Sequence, residues 1–174
     1  GELMHIQKLL AAGELEKPLD FDDFERGALI GLLIGEGTVT LTTIGRTYYS
    51  PEVKLSNTDV RIVEWVHELF ARVGLQHHVS KMKAHQLRKP HHRLQYMISV
   101  QGLVPVFRLL TTLRTGFFAK AEKVDIVLAF IALRIEACHH HGRFGNPRRS
   151  TEKDQKLVSQ IRLLNARGVA DGHG

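Results

Sequence analysis

The stretch Gly27-Ala28-Leu29-Ile30-Gly31-Leu32-Leu33-Ile34-Gly35-Glu36-Gly37 sets glycine at every fourth position of an apolar run and closes it with a single carboxylate. Each interior glycine costs a helix about 0.8–1 kcal/mol relative to alanine, so three on one stripe demand a compensating contact. Positions i, i+4 and i+8 share a helix face. Bare of side chains, that face lets the backbone of another helix come very close. The run falls far short of the roughly 20 apolar residues that span a bilayer, so the contact is a buried one in water. If the partner is a second copy of the same helix, the interface comprises Gly27, Ile30, Gly31, Ile34 and Gly35, and two Glu36 carboxylates meet near the dyad. Such a pair repels unless cations lie between its members. Oxygen-ligated Mg²⁺, completing its shell with water and phosphate oxygens, fits that place.

Periodicity organises the rest of the chain around this helix. Residues 3 to 16 read as a short helix, and Lys17 to Asp23 as an acidic connector in which Asp22 or Asp23 caps the glycine-rich helix. After Gly37 the period switches to two: Thr38, Thr40 and Thr42 alternate with Val39 and Leu41. A turn around Gly45 leads into Tyr48 to Ser56, with Val53 and Leu55 inward. Asn57, Thr58 and Asp59 cap a helix carrying Ile62, Val63, Val66, Leu69, Phe70 and Val73, which stops at Gly74. A second hairpin spans Leu75 to Val100, with a basic turn from Arg88 to His92 and with Leu94, Tyr96, Ile98 and Val100 facing inward. Helices follow at Leu103 to Leu113, Lys120 to His139 and Thr151 to Ala166, the last two separated by a loop from His140 to Ser150. Trp65, Phe117 and Phe118 read as core. These elements predict an α+β domain of αββαββα order, with helices on one face of an antiparallel sheet and a wet saddle on the other. Residues 1–23 form a leader, 24–167 a single domain and 168–174 a loose tail.

A chain of 174 residues supports one domain with a substantial core. Its net charge of +6 is unevenly spread, since residues 1–26 hold seven acids and three bases against 11 acids and 21 bases in the remainder. No carboxylate lies between Glu68 and Glu122, a window holding nine lysines and arginines. The block reads either as a footprint for a polyanion or as a solubilising face. The lone Cys138 excludes an intramolecular disulfide and a cysteine-based zinc cluster. Neither a signal-like N-terminus nor a spanning segment is visible, which predicts a soluble, intracellular protein. In Cys138-His139-His140-His141, neighbouring side chains diverge by about 100° on a helix and do not converge on one ion.

Alternation places Thr38, Thr40, Thr42, Tyr48, Ser50, Glu52, Lys54, Arg93, Gln95 and Ser99 on the wet face. Lys81, Lys83 and His85 share one face of the third strand, and Val79 on the same side leaves that strand's register open. Hydroxyls, amides and cations are the groups that read base edges and phosphates in a major groove, which admits a two-stranded ribbon. Arg46 in the first hairpin turn and Arg143, Arg148 and Arg149 before the last helix complete the candidate DNA contacts, with His77, His78, His91 and His92 as further phosphate ligands.

The run from Leu29 to Gly37, followed by hairpin, helix, hairpin and helices, resembles the LAGLIDADG homing endonucleases over roughly residues 24 to 167. One signature copy without an internal repeat is similar to the homodimeric branch, in which each subunit reads half of a long pseudo-palindromic site. The resemblance implies an intron-encoded, site-specific endonuclease that makes a double-strand break by metal-dependent phosphodiester hydrolysis. Its partners are double-stranded DNA and a second copy, with Mg²⁺ as the metal, Mn²⁺ or Ca²⁺ in its place in vitro, no small-molecule cofactor and no membrane. Glu36 matches the metal-binding acid, where the motif's name has Asp, and Gly35 the position whose carbonyl assists. Asn57 matches a polar residue that positions the attacking water, often Gln, and Arg61 a basic residue of the same pocket. Lys120 matches the lysine that activates water or stabilises charge, and Leu157 to Asn165 is similar to the last helix of homodimeric members. The alternative is a DNA- or RNA-binding regulator or intron maturase of the same fold without cleavage. An acid at position 36 together with Lys120 favours cleavage, because a pure binder needs neither.

Overall fold

Asp22 starts the glycine-rich helix α1, Asp23–Glu36, by a reciprocal pair of bonds: its carboxylate accepts from Glu25 N at 2.7 Å while Glu25 Oε1 accepts from Asp22 N at 2.9 Å. The computed structural model describes residues 8–9, 11–45, 48–81, 94–141 and 152–171, with the backbone alone for 138–141 and 167–171. From α1 the chain passes without a loop into β1, Gly37–Ile44, and returns as β2, Tyr48–Asn57. Helix α2, Val60–Arg72, separates this hairpin from β3, His78–Lys81, and β4, Tyr96–Gln101. Helix α3, Leu103–Leu113, a 3₁₀ turn at Arg114–Gly116, α4, Ala121–His141, and α5, Glu152–Asp171, complete the order. The four strands lie in the order β1-β2-β4-β3, every pair antiparallel.

Period-two alternation sorts the sheet into two faces. Val39 pairs with Val53 and Leu55 with Ile98, and these side chains are buried under Leu29 and Leu33 of α1 and Val66 and Phe70 of α2. On the opposite face Thr38 pairs with Lys54, Thr40 with Glu52 and Thr42 with Ser50. The α+β class and the helices-on-one-face arrangement are as the periodicity predicts.

Four details differ from the sequence reading. Gly13 adopts a left-handed conformation (φ 68°) and is followed by a 3₁₀ turn at Glu14–Glu16, so the helix expected to run on to residue 16 is interrupted. The segment after Gly13 packs firmly: Leu15, Leu19 and Phe21 are buried, and Leu19 N–H donates to Thr112 Oγ1 at 2.9 Å. The last helix runs past Ala166 to Asp171, taking in residues assigned to a loose tail. Phe118 is not core but 88% exposed, because its neighbour Phe117 takes the buried position. Lys81 is not on the wet face. Pairing of Val79 with Ile98 fixes the parity of β3, which puts Lys81 opposite Tyr96 on the helix side, its Nζ 6.0 Å from the Tyr96 ring centre. His78, opposite Ser99, takes the wet face instead. Among the described residues no helix is long and apolar enough to cross a membrane.

The direct hand-over from α1 to β1 works only because residue 37 is glycine. A Cβ there would lie 2.6 Å from the Leu33 carbonyl oxygen and 2.7 Å from Leu33 Cα, and neither backbone atom has room to yield. Gly37→Ala is therefore expected to lower the unfolding free energy by about 1–3 kcal/mol, the usual cost of forced overpacking, as read by urea denaturation.

Candidate active site and nucleic-acid interface

Helix α1 ends with Glu36 exposed and its last turn closed by Gly37 N–H donating to Leu33 O. A carboxylate in the last turn of a helix faces the negative end of the macrodipole, so its position needs supporting groups. Two arrive from distant sequence. Asn57, the last residue of β2, donates from Nδ2 to Glu36 Oε2, and its Oδ1 accepts from Asp59 N at 2.8 Å. Lys120 reaches across from the segment before α4, its ammonium donating to Leu33 O at 2.9 Å and to Gly37 O. That cation caps the α1 C-terminus, where it opposes the dipole.

Lys120 is held in place by its surroundings. It is the one described non-glycine residue with positive φ, at 61°, a conformation that costs energy and persists where the neighbouring structure dictates it. Upstream, Gly116 lies so close to Ile30 that an added Cβ would meet Ile30 Cδ1 at 2.0 Å. Downstream, Lys120 O accepts from Val124 N at 3.0 Å, starting α4. Burial, and then the nearby charge of Lys123, pull the Lys120 ammonium below the ordinary lysine value of 10.5.

Arg61 stands apart from this cluster yet is linked to it. Its guanidinium grips Asp59 through Nε to Oδ1 at 3.0 Å and Nη2 to Oδ2 at 2.8 Å, while the side chain stays 85% exposed. The Arg61 hydrogen bonds, first from the side chain and then from the backbone N–H, hold the Asp59 carboxyl below its usual range. Glu36, Asn57, Asp59 and Arg61 thus form one hydrogen-bonded chain along the rim of the sheet. Asp59 was legible from sequence only as a helix cap; its second role follows from the spacing of two to Arg61.

The glycine face of α1 is open. Gly27, Gly31 and Gly35 are exposed, and a Cβ added to any of them would meet nothing within 4 Å. Ile30 does not share that face: it is buried and directed to Gly116, because one residue of helix turns it about 100° from Gly31. Ile34 is half-buried against the core. Of the set expected from sequence, the single chain thus leaves the three glycines exposed, Ile34 half-buried and Ile30 buried.

The wet face of the sheet carries Thr38, Thr40, Thr42, Tyr48, Ser50 and Lys54 as expected from the alternation. Glu52 also has this parity but is only 2% exposed, covered by Lys54, whose Nζ lies 2.8 Å from Oε1, and by Gln101, whose amide donates to Oε2. Gln101, directly opposite Glu52, is a further wet-face residue, legible from the alternation of β4. Thr40 accepts from Asn165 Nδ2 at 3.3 Å, so α5 reaches around the β1 edge. Gln95 lies just before β4 and is partly exposed. His77 is occupied elsewhere, paired with His67 at 2.7 Å and with Leu75 O at 2.7 Å. Arg46, Lys83, His85, Arg93, Arg143, Arg148 and Arg149 lie outside the described residues.

The exposed Glu36 carboxylate offers oxygen, the donor type preferred by Mg²⁺ and Ca²⁺. Among the described residues no three His, Cys, Asp or Glu side chains come together in a group that could hold a metal ion.

No protein-family model matches the chain, and no curated protein does. Solved structures do. The homing endonuclease I-CvuI in complex with its target in the presence of Ca superposes with a TM-score of 0.57 over 81% of this chain and 82% of that one, at 13% identity. The group I intron-encoded homing endonuclease I-CeuI complexed with DNA gives 0.55 over 92% and 83%, at 11% identity. The chain therefore has the homing-endonuclease fold.

Lys120→Met leaves the Leu33 and Gly37 carbonyls without their cation and is expected to destabilise the fold by about 1–3 kcal/mol. The linkage has a sign. A lysine with a lowered folded value costs stability fully at pH below that value, and the cost fades as pH rises toward 10.5, because the unfolded chain then binds more protons. The stability gap between the native chain and Lys120→Met should thus widen with pH in the alkaline range, as read by denaturation at a series of pH values.

Proposed function

We propose that this chain, which has the homing-endonuclease fold, is a site-specific DNA endonuclease that acts as a homodimer and makes a double-strand break by divalent-metal-dependent phosphodiester hydrolysis. The observation that carries this reading is the convergence of Glu36, Asn57 and Lys120 at the end of a helix whose glycine face is bare. Three glycines on an open face weaken a monomer; across a dyad they let two α1 helices touch and bring two Glu36 carboxylates together. Half a metal shell per chain becomes a shared one, completed by DNA phosphate oxygens.

Glu36 and the Gly35 carbonyl would hold Mg²⁺, and a bound divalent cation supplies neutralisation of the attacked phosphate. The chain's own groups do the rest. Asn57 orients the Glu36 carboxylate with one amide hydrogen and keeps its second for a water beside the phosphate. Lys120 spends two of its three N–H donors on the helix end and directs positive charge at oxygens that become more negative as the bond breaks. Arg61, exposed and steadied by Asp59, contacts backbone phosphate. Thr38, Thr40, Thr42, Tyr48, Ser50 and Lys54, with Gln101 and His78, face the major groove as the base-reading surface.

With Mg²⁺ or Mn²⁺, the native chain is expected to nick or linearise a plasmid carrying its site, and Glu36→Gln to bind the same DNA without cutting. Undiminished cutting by Glu36→Gln removes that residue from the chemistry, and binding without cutting by the native chain points to a regulator or maturase. Gly31→Ala separates the helix from the interface. The monomer, measured by thermal unfolding in dilute solution, gains up to about 1 kcal/mol, while dimer formation and cleavage both fall. A Gly31→Ala protein that is stabler and cuts as well as the native one contradicts an interface built on the glycine face.

A further inference from the structure

Two large aromatic side chains stand in the open beside the glycine face of α1: Phe24 is 75% and Phe118 88% exposed. Buried nowhere in a single chain, such side chains mark a surface that meets something. Phe24 lies about 20° from Gly31, within the glycine face on the side of Ala28 and Leu32, and Phe118 lies on the other side. On one flank Phe24, Ala28 and Leu32 of α1, with Ile62 and Trp65 of α2 and the Asp59–Arg61 ion pair at its start, line a groove of about 540 Å³, with Phe24 edge-on to Trp65 at 6.4 Å. On the other flank the segment from Arg114 to Lys120 is clamped to α1 by Gly116 against Ile30 and by Lys120 on Leu33 O, and it carries Phe118. At 100° per residue, Ala28 and Leu32 lie about 60° and 100° to one side of Gly31, and Ile34 and Ile30 about 60° and 100° to the other.

Symmetry decides what these flanks meet. The proposed function needs two Glu36 carboxylates side by side, which requires the paired α1 helices to run parallel about a dyad along their length. A half-turn about that axis sets each groove flank against the partner's Phe118 flank. An antiparallel pair would set groove against groove and hold the two Glu36 residues a helix length apart.

We propose that Phe118 of each subunit docks in the groove of its partner between Leu32 and Trp65, so that two aromatic locks close the interface on either side of the glycine contact. This assignment rests on the dimeric reading above. It also gives the exposed groove a single occupant, since a phenylalanine that leaves water there buries about 150–250 Å². Because Phe118 lies two residues before Lys120, the segment that positions the active-site cation is the one the partner grips.

The test is a cross-link in the full chain, in a Cys138→Ser background, carrying Ala28→Cys and Phe118→Cys together. Oxidation with copper phenanthroline is expected to give a band of dimer mass on a non-reducing gel, absent from either single-cysteine variant, because each lock pairs position 28 of one subunit with position 118 of the other. Phe118→Ala, at an exposed site that leaves circular dichroism unchanged, is expected to raise the dimer dissociation constant about 10- to 100-fold by sedimentation. A native dimer whose dissociation ignores Phe118→Ala and whose double-cysteine variant runs as monomer overturns the lock while leaving the endonuclease reading intact. A native chain that stays monomeric on DNA overturns both.

Discussion

The junction of α1 and β1 is the constraint on which the candidate site depends. The chain turns from helix to strand with no intervening loop, and glycine alone fits at position 37 because the Leu33 backbone fills the space a Cβ would need. The junction leaves Leu33 and Gly37 carbonyls at a helix C-terminus, and Lys120 occupies both. One ammonium thereby ties the first helix, the first strand and the start of α4 together. Glu36 is displayed at that knot by necessity, since it is the last helical residue before the turn. Structural closure and chemical display are the same arrangement.

Lys120 illustrates how a residue serves both ends. Its lowered affinity for a proton comes from partial burial, and its left-handed backbone from being fixed on both sides. A flexible lysine would cap a helix equally well in solution. In the catalytic role proposed for it, only a held lysine keeps a cation at a set place relative to Glu36 and Asn57, since preorganised charge lowers a barrier without reorganisation at the moment of reaction.

The charge surplus is smaller in space than along the chain. Within the acid-free window, Arg72 bonds Glu25 of α1 and Arg114 bonds Asp125 of α4. Lys54 on the wet face is likewise held by Glu52. Part of the basic block therefore serves internal ion pairs. The leader is held by burial: Leu15, Leu19 and Phe21 lie in the core, and Leu19 N–H bonds Thr112.

The amino-acid sequence by itself determined the elements, their order and the parity of the first hairpin, because period-two and period-3.6 patterns act over a few neighbouring residues. It also marked the glycine face and Glu36, since both break local rules: glycine in a helix interior and an acid at a helix C-terminus. It did not determine what requires groups far apart in the chain to meet. The face of Lys81 depended on which residue of β4 it opposes, the burial of Ile30 depended on Gly116 arriving beside it, and the burial of Glu52 depended on Gln101 lying across the strand. Phe117 and Phe118 read alike in sequence, and only the tertiary structure put one in the core and the other in the open. Adjacent residues in an irregular segment have no period to sort them, so packing against α1 made the choice.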